Sequence, residues 1–145
     1  MKIEELMLGD YITFLDVQND SYCPKLKVCG LIGDDVYVSN DGDPVLDVVD
    51  PDELAGIPLT PEILEKNGFE KLDFSHFQIG DRRLVLDADG RWNGPLSWHW
   101  VVTEMDTNAK GQPVVLDYYV ATISYVHQLQ HALRLCGIEK EINVN

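Results

Sequence analysis

The chain has 145 residues, 45% of them hydrophobic, enough apolar side chain to close one ordinary domain or two small ones, which excludes a disordered chain. Eleven basic residues stand against 25 acidic ones, a formal charge of −14, and a field of that sign repels nucleic-acid phosphates and anionic lipid. The N-terminus MKIEELMLGDYITF lacks the basic and long apolar stretches of a secretory leader, and no run approaches the roughly 20 apolar residues of a membrane span, so the expectation is a cytoplasmic protein without membrane contact.

Along the chain, Tyr11–Val17 is β-branched and aromatic and reads as a first strand. Lys25–Leu31 alternates as a half-buried strand does, Gly33-Asp34-Asp35 reverses the chain, and Val36–Ser39 returns. Asn40–Pro44 is a second turn before the strand Val45–Val49. Ala55–Leu59 connects to a short helix over residues 61–67, with Thr60 as its N-cap, Pro61 in its first turn and Gly68 closing it. Strands are expected over Phe69–Phe77, Arg82–Asp87, Leu96–Thr103 and Val114–Thr122, with a hairpin turn at Asp89-Gly90 and a loop over residues 106–113. Ser124 is the expected N-cap of a helix over residues 125–136, whose core stripe is Val126, Leu129, Leu133 and Cys136, and whose end is Gly137. Ile138–Val144 reads as a final strand.

Two segments, Ile57-Pro58-Leu59-Thr60-Pro61-Glu62-Ile63-Leu64-Glu65-Lys66-Asn67-Gly68-Phe69 and Tyr125-Val126-His127-Gln128-Leu129-Gln130-His131-Ala132-Leu133-Arg134-Leu135-Cys136-Gly137, resemble a family of small uncharacterised proteins from Bacteroidetes and their phages or integrated elements. In that family an opening like Leu8-Gly9-Asp10-Tyr11 starts an SH3-like β-barrel, and the second segment is a helix near the C-terminus. The resemblance implies an architecture and a genomic setting but no chemistry. The expected fold is therefore α+β: an N-terminal SH3-like β-barrel over residues 1–56, then a small α+β domain over residues 57–145, an antiparallel sheet with the C-terminal helix.

His127 and His131 lie four apart on the predicted helix, as two zinc ligands would, with His99, Asp117 or Cys136 as a third. A zincin needs Glu after the first His, where this chain has Gln128, and His127, Gln130, His131 and Arg134 read more simply as a polar helix face. Asp87-Ala88-Asp89-Gly90 places Val85 and Leu96 where a calcium loop needs ligands, so it reads as a turn. Trp92, Trp98, Trp100, Tyr118 and Tyr119 could floor a cleft, but Trp98 and Trp100 alternate with Ser97 and His99 as a buried sheet face does. Cys23, Cys29 and Cys136 form no Cys-x-x-Cys pair, which suggests neither a disulfide framework nor a zinc knuckle. No catalytic, cofactor-binding or metal-binding residue is assigned.

The charge is uneven. Residues 1–60 hold 13 acids against three lysines, and the stretch from Asp34 to Glu53 holds eight acids and no base. Its members, Asp34, Asp35, Asp41, Asp43, Asp47, Asp50, Asp52 and Glu53, are either a solvated rim or a docking surface for a basic partner. The leading expectation is a non-enzymatic accessory protein, of a phage or mobile element, that binds a protein partner or itself through its acidic or aromatic surface. The alternatives are a metal-binding protein or enzyme using His127 and His131, and a nucleic-acid-associated SH3-like module.

Overall fold

The computed structural model describes residues 1–15, 25–40, 46–80, 82–86 and 96–144. Its strands are β1 (Tyr11–Phe14), β2 (Leu26–Ile32), β3 (Asp35–Asn40), β4 (Leu46–Val49), β5 (Leu54–Gly56), β6 (Glu70–Asp73), β7 (His76–Ile79), β8 (Arg82–Leu86), β9 (Trp98–Thr107) and β10 (Pro113–Ile123). The described residues also hold α-helices α1 (Pro61–Lys66) and α2 (Val126–Leu135) and 3-10 turns at Ile3–Glu5 and Pro51–Glu53. Asp41, Asp43, Cys23, Trp92 and the Asp87–Gly90 turn lie outside the described residues. No helix among the described residues is long and apolar enough to cross a membrane.

The chain divides into two compact units, residues 1–58 with 125–144, and residues 59–124. In the first, strands run antiparallel in the order β4-β3-β2-β1-β5. Alternation places Leu26, Val28, Val36 and Val38 on one face, where they join Leu6, Ile12, Val49 and Leu54 in a core. This sheet corrects the expected SH3-like barrel. Its outer strands, β4 of four residues and β5 of three, do not pair with each other, so the sheet stays open. Closure requires the two edges to share a ladder in a fixed stagger, and strands this short offer little ladder to share.

The C-terminal helix was expected beside the second sheet. In the structure α2 belongs to the first unit, anchored where Val126 N–H donates to the Ile57 carbonyl at 2.9 Å and Tyr125 bridges to Pro58. Gly56 is required there, because a Cβ at that position would lie 2.5 Å from the Tyr125 ring. Ser124 is not the cap. Tyr125 holds the N-cap position, and Gln128 reaches back to accept its N–H at 3.2 Å. After Gly137 the chain forms no strand, yet Ile142 is fully buried, so its apolar pattern reflects packing of irregular backbone.

The second unit is an antiparallel meander in the order β10-β9-β8-β7-β6. Local signals hold at α1: Thr60 Oγ accepts the Ile63 N–H at 3.3 Å, and Gly68 takes φ +81°. Trp98 and Trp100 are buried. Phe77 meets Trp98 edge-on at 5.6 Å, and the indole N–H donates to the Leu59 carbonyl at 3.1 Å. The single strand expected over Phe69–Phe77 is two strands. Asp73 breaks it by accepting the Ser75 N–H at 2.8 Å, the Ser75 hydroxyl at 3.0 Å and His76 Nδ1 at 2.8 Å. The His76 contact, then the Ser75 N–H, lower the Asp73 pKa to about 2.

Candidate functional site

The polar face on α2, expected either to hydrogen-bond or to face solvent, is largely engaged in hydrogen bonds. His127 and Gln130 are buried, and the face grips the segment Gly9-Asp10-Tyr11 at the start of β1. The Gln130 carboxamide acts as a surrogate peptide group, accepting the Tyr11 N–H at 2.9 Å and donating to the Gly9 carbonyl at 3.1 Å. One side chain thus satisfies two main-chain groups on either side of Asp10. Gly9 has φ +89°, and a Cβ there would lie 3.1 Å from the Arg134 guanidinium, so both backbone twist and space favour glycine.

Between them Asp10 is fully buried. Its carboxylate accepts the Met7 N–H at 2.8 Å, and His131 Nε2 lies 2.9 and 2.8 Å from its two oxygens. Because a carboxylate only accepts, His131 must carry a proton on Nε2. Arg134 adds a longer contact at 3.4 Å. Asp10 was not singled out in the sequence; the available signal was a carboxylate directly after a glycine and directly before the apolar run of β1. The carboxylate orients the imidazole as in an acid–base pair, yet the hydrogen-bond partners of His131 among the described residues are only the two Asp10 oxygens. The arrangement ties the start of β1 to α2.

His127 does not share this carboxylate. Its ring stacks on Tyr125 at 5.8 Å and meets His131 edge-on at 5.9 Å, and its Nδ1 is buried without a hydrogen-bond partner. Burial pushes its pKa below the usual histidine value, and the His131 charge acts in the same direction, while Asp10 and Glu5 oppose. The unfolded chain then binds the proton more readily than the folded one. Stability should be fully present above about pH 6.5 and fall as the pH drops below it, by at most about 1.4 kcal/mol per pH unit. Urea titrations across that range should show the slope, and His127→Phe, which keeps the stacking, should flatten it; an unchanged slope would place its origin elsewhere.

As a metal pair the two histidines are poorly disposed. His131 Nε2 is committed to Asp10, and among the described residues no group of three or more His, Cys, Asp or Glu side chains is placed to hold a metal. Near the helix end a cavity of about 410 Å³ is lined by Gln130, Arg134, Gly137, Ile138, Glu139 and Lys140. Charges of both signs alternate there, which selects neither an anion nor a cation.

Six acids of the acidic stretch fall among the described residues. Asp34 and Asp35 lie at the β2–β3 turn, Asp47 on β4, and Asp50, Asp52 and Glu53 in the turn that follows. All six are exposed. Among the described residues none pairs with a cation, and Asp50 caps the turn by accepting the Asp52 N–H at 3.0 Å. On β4, Leu46 and Val48 project on the outer face, 50% and 56% exposed, with Val48 opposite Tyr37 and Leu46 opposite Ser39. This exposed apolar pair was not anticipated from the sequence, because alternation alone does not say which face of an edge strand meets solvent.

Comparison with protein-family models, curated proteins and solved structures finds no match to this chain.

Proposed function

We propose that the chain is a non-enzymatic accessory protein that docks a basic partner on the β3–β4 edge of its first sheet. The observation that supports this reading is the set of six exposed carboxylates, none paired with a cation among the described residues, in the same stretch of chain as the exposed Leu46 and Val48 of an edge strand. Carboxylates raise the encounter rate with a basic surface, and apolar side chains supply burial that charge alone does not. A purely solubilising rim has no need of the apolar pair.

The test uses a labelled peptide alternating lysine and valine, with an alternating lysine–glycine peptide as control. Amide shifts should map to residues 32–53, and affinity for the lysine–valine peptide should exceed that for the control. Replacing Asp34, Asp35, Asp47 and Asp52 with Asn, or Leu46 and Val48 with Ser, should each weaken binding by about tenfold or more, and wild-type binding should weaken as salt rises. Equal affinity for the two peptides, or shifts centred elsewhere, would reduce the acidic stretch to a solvated edge.

A further inference from the structure

The described strands leave four sheet edges, and three are short. β4 has four residues, β5 three, and β6, Glu70-Lys71-Leu72-Asp73, four with three charges. The fourth differs. β10 runs 11 residues, Pro-Val-Val-Leu-Asp-Tyr-Tyr-Val-Ala-Thr-Ile, with Asp117 as its one charged residue in a chain that is 25% charged. Its neighbour among the described residues is β9 alone. Val115, Tyr118 and Val120 are exposed, at 59%, 47% and 61%. Long, uncharged, apolar edges are templates for further strand pairing, and sheets normally blunt them with charge, proline or brevity. β10 keeps of these only Pro113 at its first residue and the single charged residue Asp117, with a register shift between Tyr119 and Ala121.

The pairing of β9 and β10 also outruns its support. Among the described residues β8 covers β9 from Trp98 to Val102, and beyond that Thr103–Thr107 and Pro113–Asp117 form a ribbon of two strands. A two-stranded ribbon is marginal by itself and gains most from a third strand. The free stretch of β9 carries Glu104 and Asp106, whereas β10 offers the less charged side.

We infer that β10 is a self-association edge, pairing antiparallel with β10 of a second copy of this chain. The charge pattern favours that occupant. A two-fold axis at Tyr118 sets Asp117 opposite Tyr119, Leu116 opposite Val120 and Val115 opposite Ala121, so no like charges face one another along the ladder. A second copy supplies a strand of matching length, and 11 residues provide about ten main-chain hydrogen bonds, the number in a standard interface. The pairing is isologous and closes at two copies. Because each copy carries −14, repulsion between the remaining surfaces opposes it, and added salt strengthens it. This salt dependence is opposite to that of the acidic docking edge, so the two readings fail separately.

Sedimentation of the full chain over a concentration series, at low and high salt, reads the association directly. The expected result is a monomer–dimer equilibrium that shifts toward dimer with salt, together with concentration-dependent protection of β10 amides from exchange. Val115→Lys with Val120→Lys places two charges on exposed positions and lowers the net negative charge. It should weaken dimerisation by about tenfold or more with unchanged circular dichroism, whereas Val115→Thr with Val120→Thr should retain the dimer. A monomer at every concentration and salt, a dimer indifferent to the lysines, or protection confined to other strands would each overturn the inference.

Discussion

Asp10→Ala is expected to lower the stability of the first unit by about 3 kcal/mol, and among single substitutions on the α2–β1 contact it should be one of the costliest. The carboxylate is fully buried and receives the Met7 N–H and His131 at 2.8 Å. Hydrogen bonds to a charged group contribute about 1.5–3 kcal/mol each, and removing one partner leaves the others unpaired. The Arg134 contact is long and partly exposed, so it adds little. Denaturant unfolding followed by circular dichroism, with amide exchange on β1 and α2, is the right measurement, because fluorescence of Trp98 and Trp100 follows the second unit. His131→Ala should cost less, and the double variant should fall short of the sum of the two, since both remove the same contact. A loss below about 1 kcal/mol for Asp10→Ala would mean that the segment before β1 is held by other contacts.

Leu133→Ala should cost about 2–5 kcal/mol, because Leu133 lies with Val126 and Leu129 on a stripe that is fully buried. The revealing comparison is Gln130→Ala. Read as part of a solvated polar face, Gln130 would tolerate alanine with a change within about 0.5 kcal/mol. The structure instead makes its carboxamide the partner of the Tyr11 N–H and the Gly9 carbonyl, and alanine would strand both, at a cost of about 2 kcal/mol. Urea midpoints for the two variants test this directly. A neutral Gln130→Ala beside a costly Leu133→Ala would show that water replaces the carboxamide, while two neutral variants would detach α2 from the first sheet.

Much of the fold was legible because its signals are local. Alternation marked Lys25–Leu31 as a half-buried strand, which the structure shows with Leu26 and Val28 inward, and the sequence Thr60-Pro61 through Gly68 delimited α1, since a cap, a missing N–H and a left-handed glycine each act within a few residues. The same reasoning placed Trp98 and Trp100 in the core. Where a local alternative was overlooked the reading went astray: Asp73 closes a turn with Ser75 and His76 inside a stretch that otherwise alternates like one strand.

What remained hidden depends on partners distant in sequence. Whether β4 and β5 close a barrel is set by their length and stagger in space, and a list of strands carries neither. Ile138–Val144 has the composition of a strand, but a strand exists only when another edge accepts its hydrogen bonds, and here Ile142 is buried without one. The polar residues of α2 were recognised as one face from their spacing, yet their partners are Gly9, Asp10 and Tyr11, some 120 positions earlier, and nothing local to either segment encodes the match. The sequence by itself determined α1, the alternation of the first hairpin, the inward placement of Trp98 and Trp100 and the excess of negative charge, because these follow from neighbours along the chain. Only the tertiary structure decided that a glutamine serves as a peptide group, that an aspartate is buried, and which strand edges are left open, because hydrogen-bond satisfaction is a property of the folded surroundings.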